Sequence, residues 1–111
     1  MVEHHELLGS LEQIVLLAAL RLGEDAYGMT VRREIETRAG RDISIGAVYA
    51  TLERLESKGL VTSFKGEPTA ERGGRAKKYF RVTGAGERAL RKSLEVVRKM
   101  SAGLKGSLGV G

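Results

Sequence analysis

Between Leu11 and Leu22 apolar residues occupy nearly every helical face: Leu11, Ile14, Val15, Leu17, Ala18 and Leu22 form one side, and Leu16 and Leu20 lie on others. A helix this apolar buries more than one side. In a short chain, one of those sides is expected to face a second subunit. Ser10 and Gln13 fit a capping box at its start, and Gly23 fits its stop. The next segment, "EDAYGMTVRREIETRAG", carries Tyr27, Val31 and Ile35 at four-residue spacing among charged residues. That is a surface helix docked by a narrow stripe, with Asp25 as cap and Gly40 as terminator. In "SIGAVYATLERLESKGLV", Ser44 caps a third helix, Val48, Leu52 and Leu55 form its buried stripe beside Ile45, and Gly59 ends it.

After Gly59 the period changes. "LVTSFKG" and "KKYFRVT" are rich in β-branched and aromatic residues and read as strands. Between them, "GEPTAERGGRAK" holds the only Pro and a Gly-Gly pair, and reads as a hairpin loop with a mobile tip. Alternation in the second strand puts Phe80 and Val82 on one face and Tyr79 and Arg81 on the other, without saying which face is inside. A last helix follows, capped by Thr83, with a stripe of Ala89 or Leu90, Leu94, Val97 and Leu104, and Met100 beside it. Three helices and a two-stranded wing make a mainly α (α+β) chain, a winged helix-turn-helix over residues 7–83. An added carboxy-terminal helix covers 84–105, and 1–6 and 106–111 are flexible termini.

Composition narrows the chemistry. The chain has 111 residues, enough for one domain with a modest core that a dimer interface would help. Aromatics are scarce and Trp is absent, so the core is aliphatic. No Cys is present, which excludes disulfides, zinc ribbons and thiol catalysis. The only histidines, His4 and His5, sit at the amino terminus, where a solvated end explains them better than a metal. No catalytic constellation and no cofactor motif appears, so an enzyme is not expected. The longest apolar run, Ile14 to Leu20, is too short to span a bilayer, and no signal peptide precedes it, so a cytoplasmic protein without membrane attachment is the default. A net charge of +5 and a pI near 9.8 lean toward an anionic partner.

Double-stranded DNA is the partner that the third helix suggests. Its apolar stripe faces inward, and Gly46, Ala47 and Ala50 point away from it. Small residues on that side let a helix backbone sit deep in a major groove about 12 Å wide. Ser44 and the first-turn amides can hold a phosphate. Tyr49 and Thr51, on the flanks, offer hydroxyls, and Arg54 can reach the backbone or a guanine. The wing strengthens this reading, because Arg72, Arg75, Lys77 and Lys78 fall where a wing would meet the duplex. A winged-helix protein-interaction module is the alternative, and its mark would be an acidic or neutral wing.

Together, "YGMTVRREIE", "SIGAVYATLERLESKGLV" and "RGGRAKKYFRVTGAGERAL" resemble the PadR family of transcriptional regulators. The resemblance runs from about Leu7 to Leu104. Its strongest parts are Tyr-x-x-Leu-x-x-Leu-x-x-x-Gly-Leu from Tyr49 to Leu60 and Tyr-Phe-x-x-Thr-x-x-Gly from Tyr79 to Gly86. It implies a homodimeric repressor on a near-palindromic operator, with the third helix in the major groove and the wing on flanking backbone. It also implies that Leu90, Leu94, Val97 and Leu104 of the last helix meet Leu8, Leu11 and Val15 of a partner. Two departures stand out. Ala50 replaces a Pro that many members carry after the tyrosine, and the chain has neither the length nor the Trp with which some members take up flat drugs. A small-molecule effector therefore has no support beyond the room for a pore at the dimer interface.

Overall fold

The helix starts are set by hydrogen bonds that local spacing only partly discloses. In the computed structural model, which describes residues 7–66, 77–104 and 106, the chain runs α1 (Ser10–Leu22), α2 (Gly28–Ala39), α3 (Ile45–Ser57), β1 (Val61–Lys65), β2 (Lys78–Val82) and α4 (Gly84–Ser101). The expectations for residues 1–6, for the hairpin tip with Arg72 and Arg75, and for 107–111 fall outside the described residues.

Ser44 and Thr83 cap as the sequence suggests. The Ala47 N–H donates to Ser44 Oγ at 3.1 Å, and the Gly86 N–H donates to Thr83 Oγ1 at 3.0 Å. The other two starts differ from expectation. Helix α1 is capped by Gly9, whose N–H donates to Glu12 Oε1 at 3.0 Å, so Ser10 is already helical. Tyr27 caps α2, its N–H donating to Thr30 Oγ1 at 2.9 Å. Asp25 contributes only its carbonyl, which accepts the Thr30 hydroxyl at 2.6 Å. In both cases a residue three positions into the helix supplies the cap, which is a weaker sequence signal than a hydroxyl or carboxylate at the cap itself.

Helix α3 closes with two bonds, Leu60 N–H to Leu55 O and Gly59 N–H to Glu56 O, both 2.9 Å. Gly59 takes φ +76°, the left-handed conformation this closure needs and a glycine adopts freely. The chain therefore leaves α3 directly into β1. Strands β1 and β2 pair antiparallel with Val61 opposite Val82 and Phe64 opposite Tyr79. A single bridge joins Tyr27 to Tyr79, and the Phe80 N–H donates to Ala26 O at 2.8 Å, so the segment before α2 lies against the wing.

The core is aliphatic around one ring. Val15, Leu16, Val31, Val48, Leu52, Leu55, Val61 and Phe80 are at most 1% exposed. Each such side chain contributes roughly 1.5–3 kcal/mol by leaving water. Phe80 is the inward residue of β2, and Tyr79 and Arg81 face out, which resolves the alternation. The helical surface of α1 is largely consumed within the chain, by α2, α3, β2 and α4. That corrects three partner-facing expectations: Val15 is wholly buried, and Leu8 and Leu90 are nearly so, all in the chain's own core. Leu11 is half-buried, and Leu94, Val97 and Leu104 remain exposed, with Met100, Leu17 and Leu20.

Candidate nucleic-acid interface

Helix α3 is held at both ends by groups from other elements. At its start, Arg32 of α2 donates from Nε to Ile43 O at 2.9 Å, pinning the turn that leads into Ser44, and the same guanidinium pairs with Glu36 at 3.2 Å. At its end, Lys58 Nζ donates to Glu12 Oε2 at 2.8 Å across 46 residues of chain. Burial pushes the Glu12 carboxyl up. The hydrogen bonds from Lys58 and the Gly9 N–H, aided by the charges of Lys58 and Arg54, outweigh that, and the carboxyl settles below its ordinary value.

Between those anchors Gly46, Ala50, Glu53 and Arg54 are exposed and Ala47 is half-buried. Ser44 is exposed, with its oxygen accepting the Ala47 N–H. Arg54 has no ion pair or hydrogen bond from its side chain among the described residues, and its charge acts within the protein only at longer range, on Glu12. Tyr49 is half-buried and packs against the core, its ring end lying on Gly28 at the start of α2. Thr51 does not belong to this face. It is 1% exposed, and its hydroxyl donates to Ala47 O at 2.8 Å within the helix. The sequence held the signal for this: Val48, Thr51, Leu52 and Leu55 are an i, i+3, i+4, i+7 set, so Thr51 lies inside the buried arc.

The wing is tied to α3 and to α2 partly through Glu56, Ser63 and Phe64, which carry no signal in the sequence. Glu56 of α3 accepts the Ser63 hydroxyl of β1 at 2.6 Å and stands 3.8 Å from Lys78 Nζ of β2. On the outer side Phe64 stacks on Tyr79 at 5.7 Å, and Tyr79 meets Tyr27 edge-on at 5.3 Å. Arg81 lies 5.2 Å from the Phe64 centroid, and Lys77 Nζ lies 3.9 Å from that of Tyr27. Lys77 and Lys78 are thus engaged with the protein. The Lys78–Glu56 pair is half-exposed and is worth at most about 1 kcal/mol, weak enough to yield to a phosphate. Among the described residues no helix is long and apolar enough to cross a membrane.

Residues 16–92 match the transcriptional regulator PadR-like family. An uncharacterised protein of Lysinibacillus sphaericus is 33% identical over 89 residues, 78% of this chain and 77% of that one. Among solved structures, the chain is similar to a PadR family transcriptional regulator from Eggerthella lenta DSM 2243, at 27% identity and a TM-score of 0.68 over 91% of this chain and 88% of that one. In fold alone it is similar to a PadR family transcription regulator from Clostridium difficile R20291, with 22% identity and a TM-score of 0.70 over 89% of this chain and 99% of that one.

Proposed function

Because the chain belongs to the PadR-like family of transcriptional regulators, which are DNA-binding regulators and not enzymes, we propose that it is a homodimeric repressor occupying a near-palindromic operator with the first turns of α3. The observation that carries this reading is the exposed, small-residue side of α3 at Gly46, Ala47 and Ala50, capped by Ser44 and flanked by Tyr49 and Arg54. A helix there approaches base edges without long side chains holding it off. Ser44 and the first-turn amides serve a phosphate, and Arg54 serves the backbone or a guanine. Arg72, Arg75, Lys77 and Lys78 extend the contact along the backbone.

The partner surface is supported by exposure. Leu94, Val97, Met100 and Leu104 of α4 and its end carry apolar side chains into solvent, and α1 exposes Leu17 and Leu20. Packing the α4 stripe on a second copy's α1 ridge buries both, with Leu11 at its border. Leu17 and Leu20 replace the buried Leu8 and Val15 in this arrangement. Two-fold symmetry then sets the recognition helices about 34 Å apart, one turn of duplex.

The test is fluorescence anisotropy with the DNA upstream of the protein's own gene against scrambled duplex at two salt concentrations. Selective binding is expected. If a dimer neutralises roughly eight phosphates, log affinity falls with log salt at a slope near −7. Weak, equal binding to both duplexes, followed by a genome-wide selection that recovers no site, would move the reading to a protein-interaction module.

A further inference from the structure

We propose that Gly28 is a positioning residue for DNA binding: lacking a side chain, it lets α2 begin against the Tyr49 ring and so registers the recognition helix against the wing. This rests on the DNA-binding reading of α3. Gly28 is buried and opens α2. It is not among the glycines with positive φ, so backbone freedom does not account for it. Alanine would form a better helix and lose less entropy on folding. What a side chain would cost here is space. A Cβ at Gly28 would stand 2.3 Å from Tyr49 Cζ, 2.4 Å from its Oη and 2.7 Å from its Cε2.

Two responses could relieve that overlap. The ring could swing away from α2, giving up its packing against the core, or α3 could move as a body. The second is resisted by the Arg32–Ile43 bond at one end of α3 and the Glu12–Lys58 bond at the other. The first displaces the Tyr49 hydroxyl from the DNA-facing flank, and the second shifts the whole side of α3 that meets DNA. The wing is joined at the same place. Ala26 O accepts the Phe80 N–H, and the Tyr27 ring meets Tyr79 edge-on. The stretch from Ala26 to Gly28 therefore sets both DNA-facing elements against the start of α2.

The test is a double-mutant cycle read by thermal denaturation and by affinity for duplex at low salt. Gly28→Ala is made in the wild type, in Tyr49→Phe and in Tyr49→Leu. The phenylalanine variant keeps the ring carbon that the methyl strikes, and the leucine variant removes it. In the wild type and in the Tyr49→Phe background, Gly28→Ala is expected to lower Tm and to weaken binding about tenfold or more, as overpacking of a filled site does. In the Tyr49→Leu background it should raise Tm, as alanine does in an unstrained helix, and change affinity less than about twofold. The same sign of Tm change in all three backgrounds, or equal losses of affinity, would overturn the interlock. A wild type that binds no duplex would sink the DNA reading instead, and the Tm reversal would still decide on the interlock.

Discussion

Helices α3 and α4 begin alike and end differently. Each is capped by a hydroxyl residue that accepts the N–H three positions on, and each carries an apolar stripe along one face. In α3 the stripe of Val48, Leu52 and Leu55 is wholly buried within the chain, and the opposite side is small over its first turns. In α4 only the first half is covered: Leu90 and Ser93 are buried, the Ser93 hydroxyl accepting the Leu8 N–H at 3.0 Å, while Leu94, Val97 and Met100 stand in solvent. Amphipathic pattern alone does not separate the two. What separates them is how far the rest of the fold reaches. Helices α1 and α2 with β1 cover the whole stripe of α3, whereas α1 and β2 reach only the first turns of α4. A helix finished inside its own chain can present its far side to DNA, whereas the uncovered half of α4 is the surface on which the proposed dimer would seat a second copy.

That contrast can be broken at either end. The largest effect is expected from Leu52→Ala, which opens a cavity under α3 and should cost about 2–5 kcal/mol of stability in denaturant titration, equally at every protein concentration. Leu94 lies outside the buried core and is 41% exposed, so Leu94→Asp should leave the monomer folded. It places an unpaired charge in the proposed interface, so sedimentation should show the dimer dissociating, by a factor of about 100 or more. An intact mutant dimer would reject α4 as the contact.

The third effect is smaller and links the two helical layers. Lys58→Met strands the Glu12 carboxylate, but the lysine side chain is 39% exposed, so the loss in denaturant titration should be only about 1 kcal/mol. The pH dependence follows from the direction of the Glu12 shift. Its folded value lies below the ordinary 4.5, so its contribution is fully present above that value and is lost as pH falls through the folded one. The Lys58→Met chain should show less of that acid-side loss. Identical acid titrations of the two proteins would remove Glu12 from the account.

Local signals carried most of the architecture. Ser44, Thr83, Gly40 and Gly59 mark their helix ends in the chain itself, because each acts on backbone groups within a few residues. The starts of α1 and α2 were harder to see, since Glu12 and Thr30 cap backwards from inside the helix. In the candidate site, Ser44, Ala47 and Arg54 were legible as an outward face. Thr51, expected on the flank for its hydroxyl, belongs by spacing to the buried stripe. Val15 looked available to a partner because near all-round apolarity does not say which neighbour covers which side.

Three helices, a hairpin and a fourth helix, in that order, were already written in the chain, because periodicity, caps and turn residues act over one or two turns. Packing settled the remainder. It turned Phe80 inward, spent α1 on its own core, brought Glu12 to Lys58 and Glu56 to Lys78, and laid the Tyr49 ring on Gly28. Those contacts join residues far apart in the chain, and each depends on how whole elements meet. No local pattern encodes that, because the same stripe is equally satisfied by any apolar surface set against it.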